Sequence, residues 1–177
     1  MPQFYVLDID NCLVSVESIS RHEMTDAPNT FYMADVYGQL FLVRKRPHLD
    51  KFINDSLNAG KRLIVWSAGD DNYVKMICDV IFGRDTLDYI LTRNHQTADK
   101  RKNIARIVEY VPDFDASKAI LIDDTASNGA DNPDRLLVVQ PYYGDDNDDE
   151  LLHVAAKLAS LDTPKPHLEA EFGASFF

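Results

Sequence analysis

Cysteine is nearly absent from this sequence: Cys12 and Cys78 are the whole complement among 177 residues. Two thiols make no disulfide framework and suit a reducing compartment. Positive charge is also in deficit, with 18 Lys and Arg against 29 Asp and Glu and a net charge of −11. That balance argues against general nucleic-acid binding, which needs basic surface to displace counterions, but leaves room for a local basic pocket around one phosphate. No apolar run approaches the ~20 residues that span a bilayer, and the N-terminus lacks the basic stretch and apolar core of a signal peptide. These absences predict a soluble, cytoplasmic protein with no membrane partner. There is no internal repeat and no linker, so one domain is expected over residues 1–161, followed by a tail over 162–177 whose apolar end is a candidate to dock on the body.

What is present is an alternation of short apolar runs and amphipathic stretches. Phe4-Tyr5-Val6-Leu7 reads as a buried strand that stops at two acids, Asp8 and Asp10. Residues two apart in extended backbone point the same way, so these carboxylates should stand side by side at the strand end, where open α/β sheets bind ligands. Residues 14–29 show no clear period and read as a loop. Residues 30–43 read as a hairpin turning near Tyr37-Gly38-Gln39. Pro47 suits a first helical turn, with Leu49, Phe52, Ile53 and Leu57 at helical spacing. Further strands are expected at 62–66, 87–91, 118–122 and 136–139. Helices are expected after the Asp70 cap as far as Gly83, over about 97–110, and over 148–161. This order predicts a three-layer α/β/α sandwich around a Rossmann-like parallel sheet.

The polar groups at these strand ends and helix starts are of one kind. Asp8 and Asp10 follow the first strand, Ser67 the second, Lys102 begins the helix before the fourth, and Asp123-Asp124 closes that strand. Carboxylates, a hydroxyl and an ammonium gathered around a divalent cation form a phosphoryl-transfer constellation. Asp8-Ile9-Asp10-Asn11-Cys12-Leu13, apolar-Ser67, Lys102 and apolar-Asp123-Asp124, in this order and spacing, resemble the four motifs of the haloacid dehalogenase superfamily of aspartate-nucleophile phosphatases. More narrowly, the stretches 41–52, 64–73, 99–104 and 120–125 are similar to the branch of RNA polymerase II C-terminal-domain phosphatases, the NLI-interacting-factor-like group.

That resemblance implies the roles. Asp8 is the nucleophile, and Asp10 the acid that protonates the leaving oxygen and later activates water. Mg²⁺ lies between Asp8, the Asp10 backbone carbonyl and Asp123. Ser67 and Lys102 hold phosphoryl oxygens, and Asp124 is a supporting acid. Lys100 is the other available lysine; Lys102 is preferred because Asn103-Ile104 follows it as in the family. Cys12 stands where the family has Thr or Val and reads as a packing substitution, and Asp124 stands where relatives often carry Asn. Arg46 and Trp66 read as structural, and no histidine has metal-ligand spacing. The insert at 14–45 is too small for a closed cap, so the site should be open and suit a phosphorylated macromolecule, or a phosphorylated small molecule handled with loose specificity. The expected activity is Mg²⁺-dependent phosphomonoester hydrolysis, most simply on phosphoserine or phosphothreonine in proteins. The competing readings are a phosphatase of nucleotides or nucleic-acid ends, and a catalytically silent phosphate-binding module.

Overall fold

The computed structural model describes residues 2–35, 37–83 and 86–162; the tail from 163 onward lies outside the described residues, and with it the expected docking of the apolar end. Strands β1 (Phe4–Leu7), β2 (Val14–Ile19), β3 (Thr30–Ala34), β4 (Leu40–Lys45), β5 (Arg62–Trp66), β6 (Tyr89–Leu91), β7 (Ala119–Asp123) and β8 (Leu136–Val138) form two sheets. The main sheet is parallel with the order β6-β5-β1-β7-β8, so the strand that ends at Asp8 is central.

Alternation along the strands sorts the core onto two faces. Tyr5 and Leu7, Leu63 and Val65, and Ile120 and Ile122 face one way, against helices α1 (Leu49–Asn58), α2 (Asp71–Ile81) and α3 (Glu150–Asp162). Phe4 and Val6, Ile64 and Trp66, and Leu121 face the other way, where Ile104, Ile107, Val111 and Phe114 cover them. Burying a side chain such as Ile64 contributes about 1.5–3 kcal/mol. The sheet is therefore held from both sides, as its continuous apolar strands require.

Two expected elements differ. The helix over about 97–110 is absent: Lys100 adopts a left-handed backbone, φ 61°, and Thr97 and Arg101 close a turn around it. A residue in that conformation cannot continue a right-handed helix. The chain then forms only a 3₁₀ run, Ile104–Glu109, opened by the Asn103 side chain accepting from Ala105 N at 3.0 Å. Its repeat of three buries Ile104 and Ile107 and leaves Val108 exposed, where a 3.6-residue repeat would have placed Val108 on the inner face. Lys102 accordingly sits in an irregular stretch before the 3₁₀ run rather than at a helix start. Residues 14–29 are not all loop either. Val14–Ile19 pairs antiparallel with β4, from Val14↔Lys45 to Ile19↔Leu40. The insert is thus a three-stranded sheet of order β2-β4-β3 rather than a lone hairpin.

Arg46, at the end of the insert, is buried and ties distant segments together. Its guanidinium donates twice to Asp148, at 2.7 and 2.8 Å, and to the carbonyls of Cys12 at 2.9 Å and Gln140 at 2.8 Å. It also lies 5.4 Å from the Tyr142 ring centroid. The loop after β1, the insert and the approach to α3 are therefore joined at one cation. Arg46→Met should cost about 3 kcal/mol, because it strands a partly buried carboxylate and two carbonyls. Chemical denaturation checks this, and a loss under about 1 kcal/mol would reduce Arg46 to a surface-type ion pair.

Candidate active site

The register of β1 and β7 builds the site. Leu7 pairs with Ile122, and the Asp8 amide donates to the Ile122 carbonyl at 2.9 Å, so Asp8 and Asp123 are the next residues on adjacent strands. Both follow the alternation of Phe4, Val6 and Leu121, so both carboxylates point to the face covered by the β6–β7 crossover. Lys102 lies in that crossover. Its ammonium, fully buried, is bonded to Asp8 and lies 2.6 Å from Asp123. Two like charges brought side by side by the sheet are thus bridged by one cation from the layer above.

The backbone of Lys102 is held as firmly as its tip. Its amide donates to the Asn128 carbonyl at 2.7 Å, and its carbonyl accepts from buried Asn132 at 2.6 Å. The same Asn132 accepts from Ile104 N at 3.0 Å. Asp123 uses its second oxygen to accept from Thr125 N at 2.8 Å and from the Asn128 side chain at 3.2 Å. The turn-rich segment after β7 therefore grips both members of the ion pair.

Asp10 faces elsewhere. One oxygen accepts from the Tyr73 hydroxyl and the other lies 3.4 Å from Ser67 Oγ. Ser67 is buried at the end of β5, and its hydroxyl accepts from Gly69 N at 3.0 Å. Tyr73 is brought there by α2, whose first turn is capped by Asp70 accepting from Tyr73 N at 3.0 Å. Lys100, the alternative lysine, is exposed and has no ion-pair partner among the described residues. Cys12 is buried beneath the site; burial, reinforced by the charges of Asp8 and Asp123, pushes its thiol well above the usual range, so it packs as a neutral group.

Charge in the pocket is unbalanced. Burial raises the pKa of Asp8 against the lowering influence of Lys102, with Asp123 adding to the rise. For Asp10, burial also dominates, opposed by the hydrogen bonds from Tyr73 and Ser67. Asp124 is raised by burial and by Asp123. Burial lowers the pKa of Lys102, but the two carboxylates overcome this and hold it raised. One ammonium against several carboxylates leaves surplus negative charge, which a divalent cation would neutralise. The donor set suits one: carboxylate oxygens of Asp8, Asp123 and Asp124 all lie within 4.8 Å of one another, and hard oxygen donors are what Mg²⁺ takes. Asp124 joins this carboxylate cluster, whereas the Asp10 side chain, turned to Tyr73, leaves its main-chain carbonyl as its remaining donor.

A sequence profile of the NLI interacting factor-like phosphatases matches residues 4–167. The chain belongs to this family. It is 26% identical to the CTD phosphatase-like protein 355R of Invertebrate iridescent virus 3, covering 88% of this chain and 95% of that protein. It is also 26% identical to CTD small phosphatase-like protein 3 of Caenorhabditis elegans, covering 89% of this chain and 54% of that one. Among solved structures, Fcp1, an essential RNA polymerase II CTD phosphatase, superposes with a TM-score of 0.64 at 20% identity, over 91% of this chain and 49% of that chain. The chain thus spans about half the length of the last two. The fold is that of the haloacid dehalogenase superfamily, and the protein is a phosphatase of that type.

Two contributors had little signal in sequence. Tyr73 reads there as one apolar residue of α2; its place three residues after the Asp70 cap, on the turn nearest the strand end, was the available hint. Asn132 had none, because its contact with Lys102 spans thirty residues of chain. Lys102→Met should lower stability at pH 8 by about 3 kcal/mol, since it leaves buried carboxylates without their cation. The sign with pH follows from the raised Asp8: the folded state holds protons that the unfolded chain releases, so this loss should shrink as pH falls toward 5.5. Lys100→Met should melt with the parent at both values. Thermal melts in chelator decide; equal behaviour of the two variants contradicts the assignment.

Proposed function

We propose that this protein hydrolyses phosphomonoesters in a Mg²⁺-dependent reaction through an aspartyl-phosphate at Asp8, and that its substrates are proteins phosphorylated on serine or threonine. The observation that carries the reading is the Lys102 bridge between Asp8 and Asp123, with Asp10 held apart by Tyr73 and Ser67. The two acids of the first motif are thereby given different surroundings. Asp8, beside an ammonium, is oriented to attack phosphorus. Asp10, whose pKa burial raises, can carry a proton to the departing serine or threonine oxygen as the phosphorus–oxygen bond breaks. In the second half, Asp10 takes a proton from the water that attacks phosphorus, and Asp8 leaves as a carboxylate. Lys102 and Ser67 lie where phosphoryl oxygens need donors. Bound Mg²⁺ at Asp8, Asp123 and the Asp10 carbonyl, with Asp124 close by, would neutralise the negative charge of the incoming group.

The macromolecular substrate is supported by the small insert. Beside the site it contributes to a cavity of about 560 Å³ lined by Tyr37, Phe41, Tyr73 and Met76 together with Asp70 and Asp71. Such an open, partly aromatic cleft suits a peptide segment passing Asp10. The names of the relatives, which describe CTD phosphatase-like proteins, point the same way.

Asp8→Asn should lower turnover of p-nitrophenyl phosphate at least ~10³-fold, as loss of a covalent nucleophile does. Chelation should abolish parent activity, and Mg²⁺ should restore it. Full activity in Asp8→Asn contradicts the mechanism, and a panel in which nucleotides or phosphorylated oligonucleotides outpace phosphopeptides contradicts the substrate. Independently of turnover, Mg²⁺ at about a hundredfold excess over its Kd should add ~2.7 kcal/mol, or roughly 5–10 °C in Tm. Differential scanning fluorimetry should show this shift in the parent and lose it in Asp123→Asn; a shift of equal size in both would place the ion elsewhere.

A further inference from the structure

Adjoining the aromatic cleft, with which it shares Arg93 and Asn94, lies a second cavity of about 540 Å³, lined also by Ala68, Gln96, Thr97, Lys100 and Asn128. It adjoins the reaction centre: Ala68 follows Ser67 in the chain, and Asn128 donates to Asp123 at 3.2 Å. Its lining is entirely polar or cationic apart from Ala68, in a protein with a net charge of −11. Its two cations are also unengaged. Arg101, next in the chain, is paired with Asp131, whereas Arg93 and Lys100 have no ion-pair partner among the described residues. The Gln96 side-chain nitrogen at the wall is shut from water and has no hydrogen-bond partner among the described residues. Lys100 itself stands in a left-handed conformation, φ 61°, at the tip of a turn closed by Thr97 Oγ1 accepting from Arg101 N at 3.1 Å. A non-glycine residue in that region is sparsely populated and held by its surroundings.

We infer that this cavity is a second anion subsite, and that the substrates are peptides carrying a second phosphate close to the one removed. The inference rests on the phosphoprotein reading above. Two cations without ion-pair partners among the described residues match the acceptor-only oxygens of a phosphate. The adjoining cleft shares Arg93 and Asn94 with this cavity but adds Asp35, Asp70 and Asp71, whereas this cavity adds Lys100 and no carboxylate. That difference in lining gives the peptide a direction: the second phosphate lies toward Lys100.

The test uses three matched peptides: one with a single phosphoserine, one with a second phosphoserine two residues before it, and one with the second two residues after it, about 7 Å away in extended chain. Affinity is measured by fluorescence anisotropy on Asp8→Asn protein with Mg²⁺, and turnover of the same peptides on the parent. One of the two doubly phosphorylated peptides should bind about tenfold more tightly than the single one and gain about tenfold in kcat/KM, an advantage that salt weakens. The ratio between double and single should fall to about one in Lys100→Met and in Arg93→Met; as a self-normalised ratio, it does not depend on how either change affects the singly phosphorylated peptide. Peptides that are turned over with a ratio near one in the parent would overturn the subsite and leave the phosphatase reading standing. An equal advantage for both doubly phosphorylated peptides, or one that survives both substitutions, overturns it as well. A Lys100-dependent ratio in binding without turnover of any peptide would retain the subsite and reject the phosphoprotein substrate.

Discussion

A single buried ammonium sets the character of this protein. The parallel pairing of β1 with β7 forces Asp8 and Asp123 into neighbouring positions on one face, where their charges repel in a region sealed from water. From the layer above the sheet, Lys102 answers that repulsion; Arg62 of β5, on the same face, lies over the Phe4 ring at the other end of the strands and is held by Asp88 and Asp113. The bridge is not a stabilising device in the ordinary sense, since burying three ionised groups is costly even when they are well matched. What it does is hold two carboxylates side by side at the strand ends, an arrangement that the proposed phosphoryl transfer would use.

The rest of the fold can be understood as support for that arrangement. Asn128 and Asn132 hold the main chain of Lys102, so the long side chain starts from a fixed point. Arg46 joins the loop after β1 to the insert and to the approach of α3, which fixes the carbonyl of Cys12 two residues beyond Asp10. The left-handed backbone at Lys100 serves the same end. It stops a helix from running into Lys102, which lies in an irregular stretch with its side chain reaching down onto the sheet. The missing helix and the buried lysine are two aspects of one local choice.

Around this centre the molecule is electrically lopsided. Tyr73 and the carboxylates of Asp70 and Asp71 line one cavity, Lys100 lines the next, and Arg93 lines both. In an acidic chain this small basic region is the part of the surface near the site that favours an anion. In the proposed subsite its effect would be to orient a charged substrate before any chemistry occurs, in the way that local fields steer ligands more than they add affinity.

Much of this was legible in the amino-acid sequence. The continuous apolar strands β1, β5 and β7, the Asp70 cap and the amphipathic α1 and α2 follow from local patterns, because each pattern has one inexpensive way to bury its apolar atoms. The order of acids, serine and lysine indicated phosphoryl chemistry for the same reason: such groups are rarely placed at successive strand ends without a charge to handle. Local pattern did not reveal β2, whose polar, half-exposed residues become a strand only because β4 offers a partner. It did not reveal the 3₁₀ run, where a left-handed residue overrides helical periodicity. Nor could it show that Asp10 turns to Tyr73 while Asp8 and Asp124 gather with Asp123, or that Lys102 rather than Lys100 enters the pocket. Those outcomes depend on contacts between residues far apart in the chain, and only the packed sheet brings them within reach of one another.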